Sequence, residues 1–175
     1  GTVTGEQNVA VGHHSGRGVT SGRSNLMLGP SAGYGITTGS YNVSMGYSVN
    51  VAALTGDNNI AVGRAAALSM TSGNHNLILG YEAGRNATTT TNTVAIGKQA
   101  FGLGILTGTD NTAIGRQAGN DLTSGTYNNF IGYQAGYNAT TADKTIAIGY
   151  LSIGAGVLTG DRNIAIGEQA GYDLT

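Results

Sequence analysis

The residues able to do chemistry are few in this chain, and they do not gather. Histidine occurs only as His13, His14 and His75. A metal site needs several ligands converging in a fixed geometry. His14 and His75 hold different places in their repeats, so they read as surface residues. Asp57, Asp110, Asp143 and Asp161 stand in or beside turns. Calcium-binding solenoids carry a Gly-Gly-x-Gly-x-Asp pattern, which is absent, so these aspartates read as turn formers. Gly102-x-Gly104 and Gly154-x-Gly156 look like phosphate loops but lack the strand-to-helix setting such loops need.

Thr88 to Thr91 suggests an ice-binding array. Such an array requires a Thr-rich face on every coil, which most of the repeats lack. Asn42-Val-Ser44, Asn86-Ala-Thr88 and Asn138-Ala-Thr140 match the glycosylation sequon, which matters only on a eukaryotic secretory route. Tyr47, Tyr81, Tyr133 and Tyr150 all follow a repeated Gly. They are candidates for an aromatic patch that binds a surface, and equally for shields over coil edges. Arg64 and Arg116 share that place, but His13, Lys98 and Glu168 hold it elsewhere, which reads as drift. No nucleophile, base and orienter recur as a set. The expectation is no enzyme, no metal and no cofactor.

Composition narrows the classes further. Charged residues make up 10% of the 175, against roughly 25% in an ordinary soluble domain. Glycine occurs 31 times, proline once and cysteine never. Disulfides and cysteine-based zinc sites are thereby excluded. Net charge is −1, and Lys and Arg are scattered singly. That offers no basic stripe for a phosphate backbone, so nucleic acid is not an expected partner. No apolar run approaches the roughly 20 residues of a membrane span, so no membrane insertion is expected.

What the sequence does have is a beat. Asn-Val-Ala-Val-Gly at 8–12 returns as Asn-Ile-Ala-Val-Gly at 59–63 and Asn-Ile-Ala-Ile-Gly at 163–167. The units close at Gly12, Gly29, Gly46, Gly63, Gly80, Gly97, Gly115, Gly132, Gly149 and Gly167, in steps of 17 or 18 residues. A fixed period of this kind marks a solenoid, whose units bury their faces on one another. Each unit begins with a Thr-Gly or Ser-Gly turn. A strand follows, with apolar residues one and three places before the closing Gly and a small residue between. Then comes a segment with Ala or Ser three places after the Gly, expected to form a second short strand. Glycine every few residues would cost about 1 kcal/mol each inside a helix, so helical repeats fail.

The expected fold is all-β: a β-solenoid, or parallel β-roll, of ten coils with glycines at corners. Coils stacked at roughly 4.8 Å give a rod on the order of 48 Å. In this expectation the Val/Ile/Leu pairs are buried, and the Ala row between them offers a second, close-packing face. A slower beat groups the coils in triplets of 51 or 52 residues. One unit per coil is preferred over three units per wide turn. The aligned Asn8, Asn25, Asn42, Asn59, Asn76, Asn111, Asn128 and Asn163 are expected to stack as a structural ladder, with Thr93 and Thr145 continuing it only in part. The array is in phase at both ends, so residues 1–175 are expected to be a single repeat array, a slice of a longer fibrous protein.

The unit Asn-x-Ala-[Val/Ile]-Gly-x-x-[Ala/Ser], as at Asn59–Ala66, resembles the head repeats of YadA-like trimeric autotransporter adhesins. It is also similar to repeats of bacteriophage tail fibres and bacterial surface fibres. The resemblance covers the whole chain, though these units are longer than the usual adhesin repeat, and a neck, stalk and anchor of that family are expected to lie outside residues 1–175. It implies a left-handed parallel β-roll, a parallel homotrimer, and a host-surface glycan or protein as partner. It also implies an extracellular, cell-surface or virion location. The expected function is the shaft or head of an attachment protein. The alternative is a purely structural, self-assembling extracellular filament or sheath without a specific ligand, its rods joined end to end.

Overall fold

The computed structural model describes residues 4–175 as one all-β stack. Each repeat contributes one three-residue strand: β1 (Val9–Val11), β2 (Leu26–Leu28), β3 (Val43–Met45), β4 (Ile60–Val62), β5 (Leu77–Leu79), β6 (Val94–Ile96), β7 (Thr112–Ile114), β8 (Asn129–Ile131), β9 (Ile146–Ile148) and β10 (Ile164–Ile166). They pair in parallel, in sequence order, as a single ten-stranded sheet. Val43 lies beside Ile60 and Ile60 beside Leu77, one unit to the next. One unit therefore makes one coil.

Glycine and left-handed residues turn the chain between strands. The closing Gly63 sits at φ +129°, and a Cβ there would strike the carbonyl of Gly80 in the next coil. Two places after each closing Gly stands a left-handed residue that is not glycine, such as Ala65, Glu82, Gln99 or Gln134. A second stands just before each Asn position, such as Asn58, His75 or Tyr127. A left-handed conformation costs an L-residue roughly 1–2 kcal/mol. Here it aims the N–H along the stacking axis. Glu82 donates to the Arg64 carbonyl at 2.9 Å, Gln99 to Tyr81 at 2.9 Å and His75 to Asp57 at 3.1 Å. Each corner thus joins the hydrogen-bonded stack, which offsets its conformational cost.

Two expectations need correction. The segment after the closing Gly forms no second strand. It is a run of tight turns stacked coil on coil, and its one strand-like pairing is the isolated bridge of Ile36 with Leu54. The second correction inverts the strand. The middle residue points inward, and the aliphatic pairs point out. Met27, Ser44, Ala61, Ile78, Ala95, Ala113, Phe130 and Ala147 are all buried, whereas Ile60 is 42% and Ile114 37% exposed.

The reason is the width of the coil. The interior must also take the Ala three places after the Gly and an aliphatic residue at the far wall. Only one strand residue fits between them, and its size is matched across the coil. Ile78 shares its coil with Ala87, and Phe130 shares its coil with Ala139. Ala61 shares its coil with Met70, and Ala113 with Leu122; all eight are buried. Close packing demands such compensation. Met27 and Ile36 are both large, and the flexible thioether accommodates that pair.

The 18-residue steps fall between β6 and β7 and between β9 and β10, where Val94 pairs with Thr112 and Ile146 with Ile164. The longer coils leave Ile105 and Val157 63% and 57% exposed, while Leu106 and Leu158 behind them stay buried.

Candidate functional site: the columns on the rod

A solenoid turns each position of the repeat into a column. The function of this chain must therefore be read column by column.

The Asn column is interior. Asn42, Asn59, Asn76, Asn111 and Asn128 are buried. Each amide works in two directions. Asn59 Nδ2 donates to the Gly73 carbonyl at 2.8 Å, while its Oδ1 accepts the Asn76 backbone N–H at 3.1 Å and Asn76 Nδ2 at 2.9 Å. Asn25, Asn42 and Asn128 repeat the pattern, with Nδ2 donating to Gly39, Gly56 and Ala142. Asn8 opens the ladder against Gly22, and Asn163 bonds within its own turn to Gly160. Thr93 accepts nothing from the next Asn. Its backbone N–H donates to Asn76 Oδ1, and its hydroxyl turns to Thr90. Thr145 likewise bonds Asn128 Oδ1 through its backbone. The column ties the turn of one coil to the strand of the next and presents no surface. Burial of Asn42 and Ser44 also removes that sequon from solvent.

The turn columns are ladders of a lesser kind. Asp57 Oδ1 accepts the Ser40 N–H at 2.6 Å, and Asp143 Oδ1 accepts the Thr126 N–H at 2.6 Å. Asp161 Oδ1 accepts the Asp143 N–H at 2.9 Å, and Asp110 Oδ1 accepts Asn92 Nδ2 at 3.0 Å. Beside them, an exposed Ser or Thr stands before the turn in every coil from Thr4 to Thr159. The hydroxyl row is therefore more regular than the sequence suggested. Thr55 and Thr107 spend their hydroxyls on the carbonyls of Thr71 and Thr123.

His13 and His14 stack at 3.8 Å. Desolvation, then the neighbouring His13 and Arg17, lowers the proton affinity of His14. Burial raises the Asp121 carboxyl above its ordinary range, against a hydrogen bond from Asn120 Nδ2 that opposes it. Among the described residues no three His, Asp or Glu side chains converge on a metal position. No helix among them is long and apolar enough to cross a membrane.

Two columns remain on the surface. One is the aliphatic face. The outward strand positions from Val9 to Ile166 are Val, Leu, Ile or Met except at Thr112 and Asn129. They form two parallel rows running the length of the sheet. The other column follows the closing Gly, where the structure brings the four tyrosines into line with basic residues. Arg64 lies over Tyr47 at 5.9 Å and over Tyr81 at 5.7 Å, and Lys98 over Tyr81 at 5.6 Å. Arg116 lies over Tyr133 at 5.5 Å, and Tyr133 stacks on Tyr150 at 5.3 Å. Each exposed cation–π contact of this sort is worth about 0.5–1 kcal/mol. What read as drift at this position is a run of tyrosines interleaved with basic residues. Its signal in the sequence was the shared place of Arg64, Lys98 and Arg116 with the tyrosines.

No protein-family model, curated protein or solved structure matches the chain.

Proposed function

We propose that this chain is a rod in the shaft or head of an extracellular attachment fibre, on a cell surface or virion. In this reading its coils associate side by side as a parallel homotrimer. One observation carries the proposal: the aliphatic face. A pair of apolar rows ten strands long, interrupted only at Thr112 and Asn129 in one row, exceeds the scattered apolar residues normal on a monomer. Sheet faces of this type pack against one another at about 10 Å. The correction to the strand moves the association face from the small Ala row to the Val/Ile rows. Repetition supports the mechanical role. The same residue types recur in every coil, which suits holding shape over distance better than building one catalytic centre.

The test is sedimentation velocity on the native chain and on the variant carrying Ile60→Asp and Ile114→Asp. Both positions are solvent-exposed in the single chain, so the fold is expected to survive, as circular dichroism would verify. The native chain should sediment as an oligomer and the variant as a monomer. A native chain that stays monomeric at high micromolar concentration overturns the proposal. Binding of the oligomer to intact cells then separates an attachment shaft from a filament without a ligand.

A further inference from the structure

We propose that the column from Tyr47 to Tyr150 is a binding site for a linear acidic polysaccharide bearing sparse carboxylates. The seven positions are Tyr47, Arg64, Tyr81, Lys98, Arg116, Tyr133 and Tyr150. They occupy one place on consecutive coils, between Pro30 and Glu168. At one coil per roughly 4.8 Å the column runs about 29 Å. That is the form of a track for an extended chain.

The chemistry of the track is specific. Its three cations have no carboxylate within ion-pairing distance among the described residues, where the one salt bridge joins Arg85 to Glu82 at 3.6 Å. Glu82, in the adjoining column, is also held by Gln99 Nε2 at 3.0 Å. The aspartates of the turns lie at the other end of the strand. The tyrosines make no side-chain hydrogen bond to the described residues, and Tyr47 and Tyr150 are 55% and 48% exposed. The column thus offers phenol hydroxyls and guanidinium N–H groups to a partner rich in hydroxyls and carboxylates. A guanidinium fork pairs with a carboxylate bidentately.

The same geometry disfavours nucleic acid. Single strands bind by stacking bases on open aromatic faces. Here neighbours cover those faces: Arg64 and Lys98 both lie over Tyr81, and Tyr150 stacks on Tyr133. The cations stand on the second, fourth and fifth of these seven coils, so even the adjacent Lys98 and Arg116 are roughly 4.8 Å apart, wider than the roughly 3.4 Å per charge of one DNA strand.

The proposal rests on the reading of the chain as an attachment shaft, and the two fail separately. The experiment is calorimetry of the native protein with hyaluronate oligosaccharides, which carry one carboxylate per disaccharide. Heparin, dextran and oligothymidylate serve as comparison probes. The variants are Arg64→Ala/Lys98→Ala/Arg116→Ala and Tyr81→Ala, with circular dichroism and sedimentation on each. The expected result is salt-sensitive hyaluronate binding, weakened on the order of tenfold or more by the triple substitution, with fold and oligomeric state unchanged. Dextran should not bind. Absence of hyaluronate binding at low salt, or binding untouched by the triple substitution, overturns the proposal even where the oligomer forms. Equal or tighter binding of heparin or oligothymidylate also overturns it, in favour of general polyanion or nucleic-acid capture.

Discussion

Phe101 and Phe130 meet edge to face inside the rod, their ring centroids 6.4 Å apart at 63°. They come from different coils, and Gly119 lies between them. A Cβ on Gly119 would collide with Phe101 Cε1 and Phe130 Cδ2. The two largest side chains of the interior therefore share a space that the intervening coil vacates. Such a pair contributes about 0.5–1.5 kcal/mol beyond its buried area.

Gly119→Ala is accordingly expected to destabilise the chain by roughly 2–3 kcal/mol, the cost of overpacking a filled core. Backbone strain alone would not do this. Gly119 sits at φ +57°, and Ala67 holds the equivalent place in its own coil at φ 49°. The comparison is Gly171→Ala, at φ +60°, where the added Cβ would find Ala165 at 3.3 Å and Ile153 at 3.5 Å. That change should cost about 1 kcal/mol. Chemical denaturation of both variants measures the difference. Equal costs would mean that the phenylalanines do not constrain the coil between them.

The Asn ladder gives a second expectation. Asn59→Ala removes one acceptor and one donor at once. It leaves the Gly73 carbonyl and the Asn76 backbone N–H, both in the interior, without their partners. Buried polar groups left unpaired cost about 1–3 kcal/mol, so a loss of roughly 3 kcal/mol is expected. Asn8→Ala, at the more open first coil, should cost less. Thermal melts of the two variants test the order. Hydrogen exchange should show the added opening at Asn76 and Gly73 rather than spread along the rod.

Much of this architecture was legible in the sequence. The period fixed the coil, and the single closing Gly fixed its corner. The Asn alignment implied a ladder, and Thr93 and Thr145 implied its gaps. Inside and outside were not legible in the same way. Val, Ile and Leu are among the residues most often buried, so the pairs at Val94/Ile96 and Ile146/Ile148 read as core, and Ala95 and Ala147 as a second, close-packing face. The structure reverses this because a narrow coil admits one strand side chain. The reversal did leave a trace. Ile78 and Phe130 interrupt the small row in the coils that end on Ala87 and Ala139, and only a shared interior requires that exchange. The expected second strand does not form between the Ala three places after the Gly and the aliphatic residue at the far wall. Left-handed residues such as Gln99 and Gln134 instead turn the chain at each step. Taken one repeat at a time, the basic residues of the tyrosine column look like drift, because their contacts lie between coils.

The molecule is a rod whose length is counted in coils. Deleting Gly63 through Ile114 removes β5, β6 and β7 and joins Val62 to Gly115, a closing Gly in register. Small-angle scattering of the native and deleted chains measures the maximum dimension directly, at matched oligomeric state. The expected result is a folded rod shorter by roughly 14 Å, three coils at about 4.8 Å each, with an unchanged cross-section. An unfolded chain, or a rod of altered cross-section and unchanged length, would contradict it.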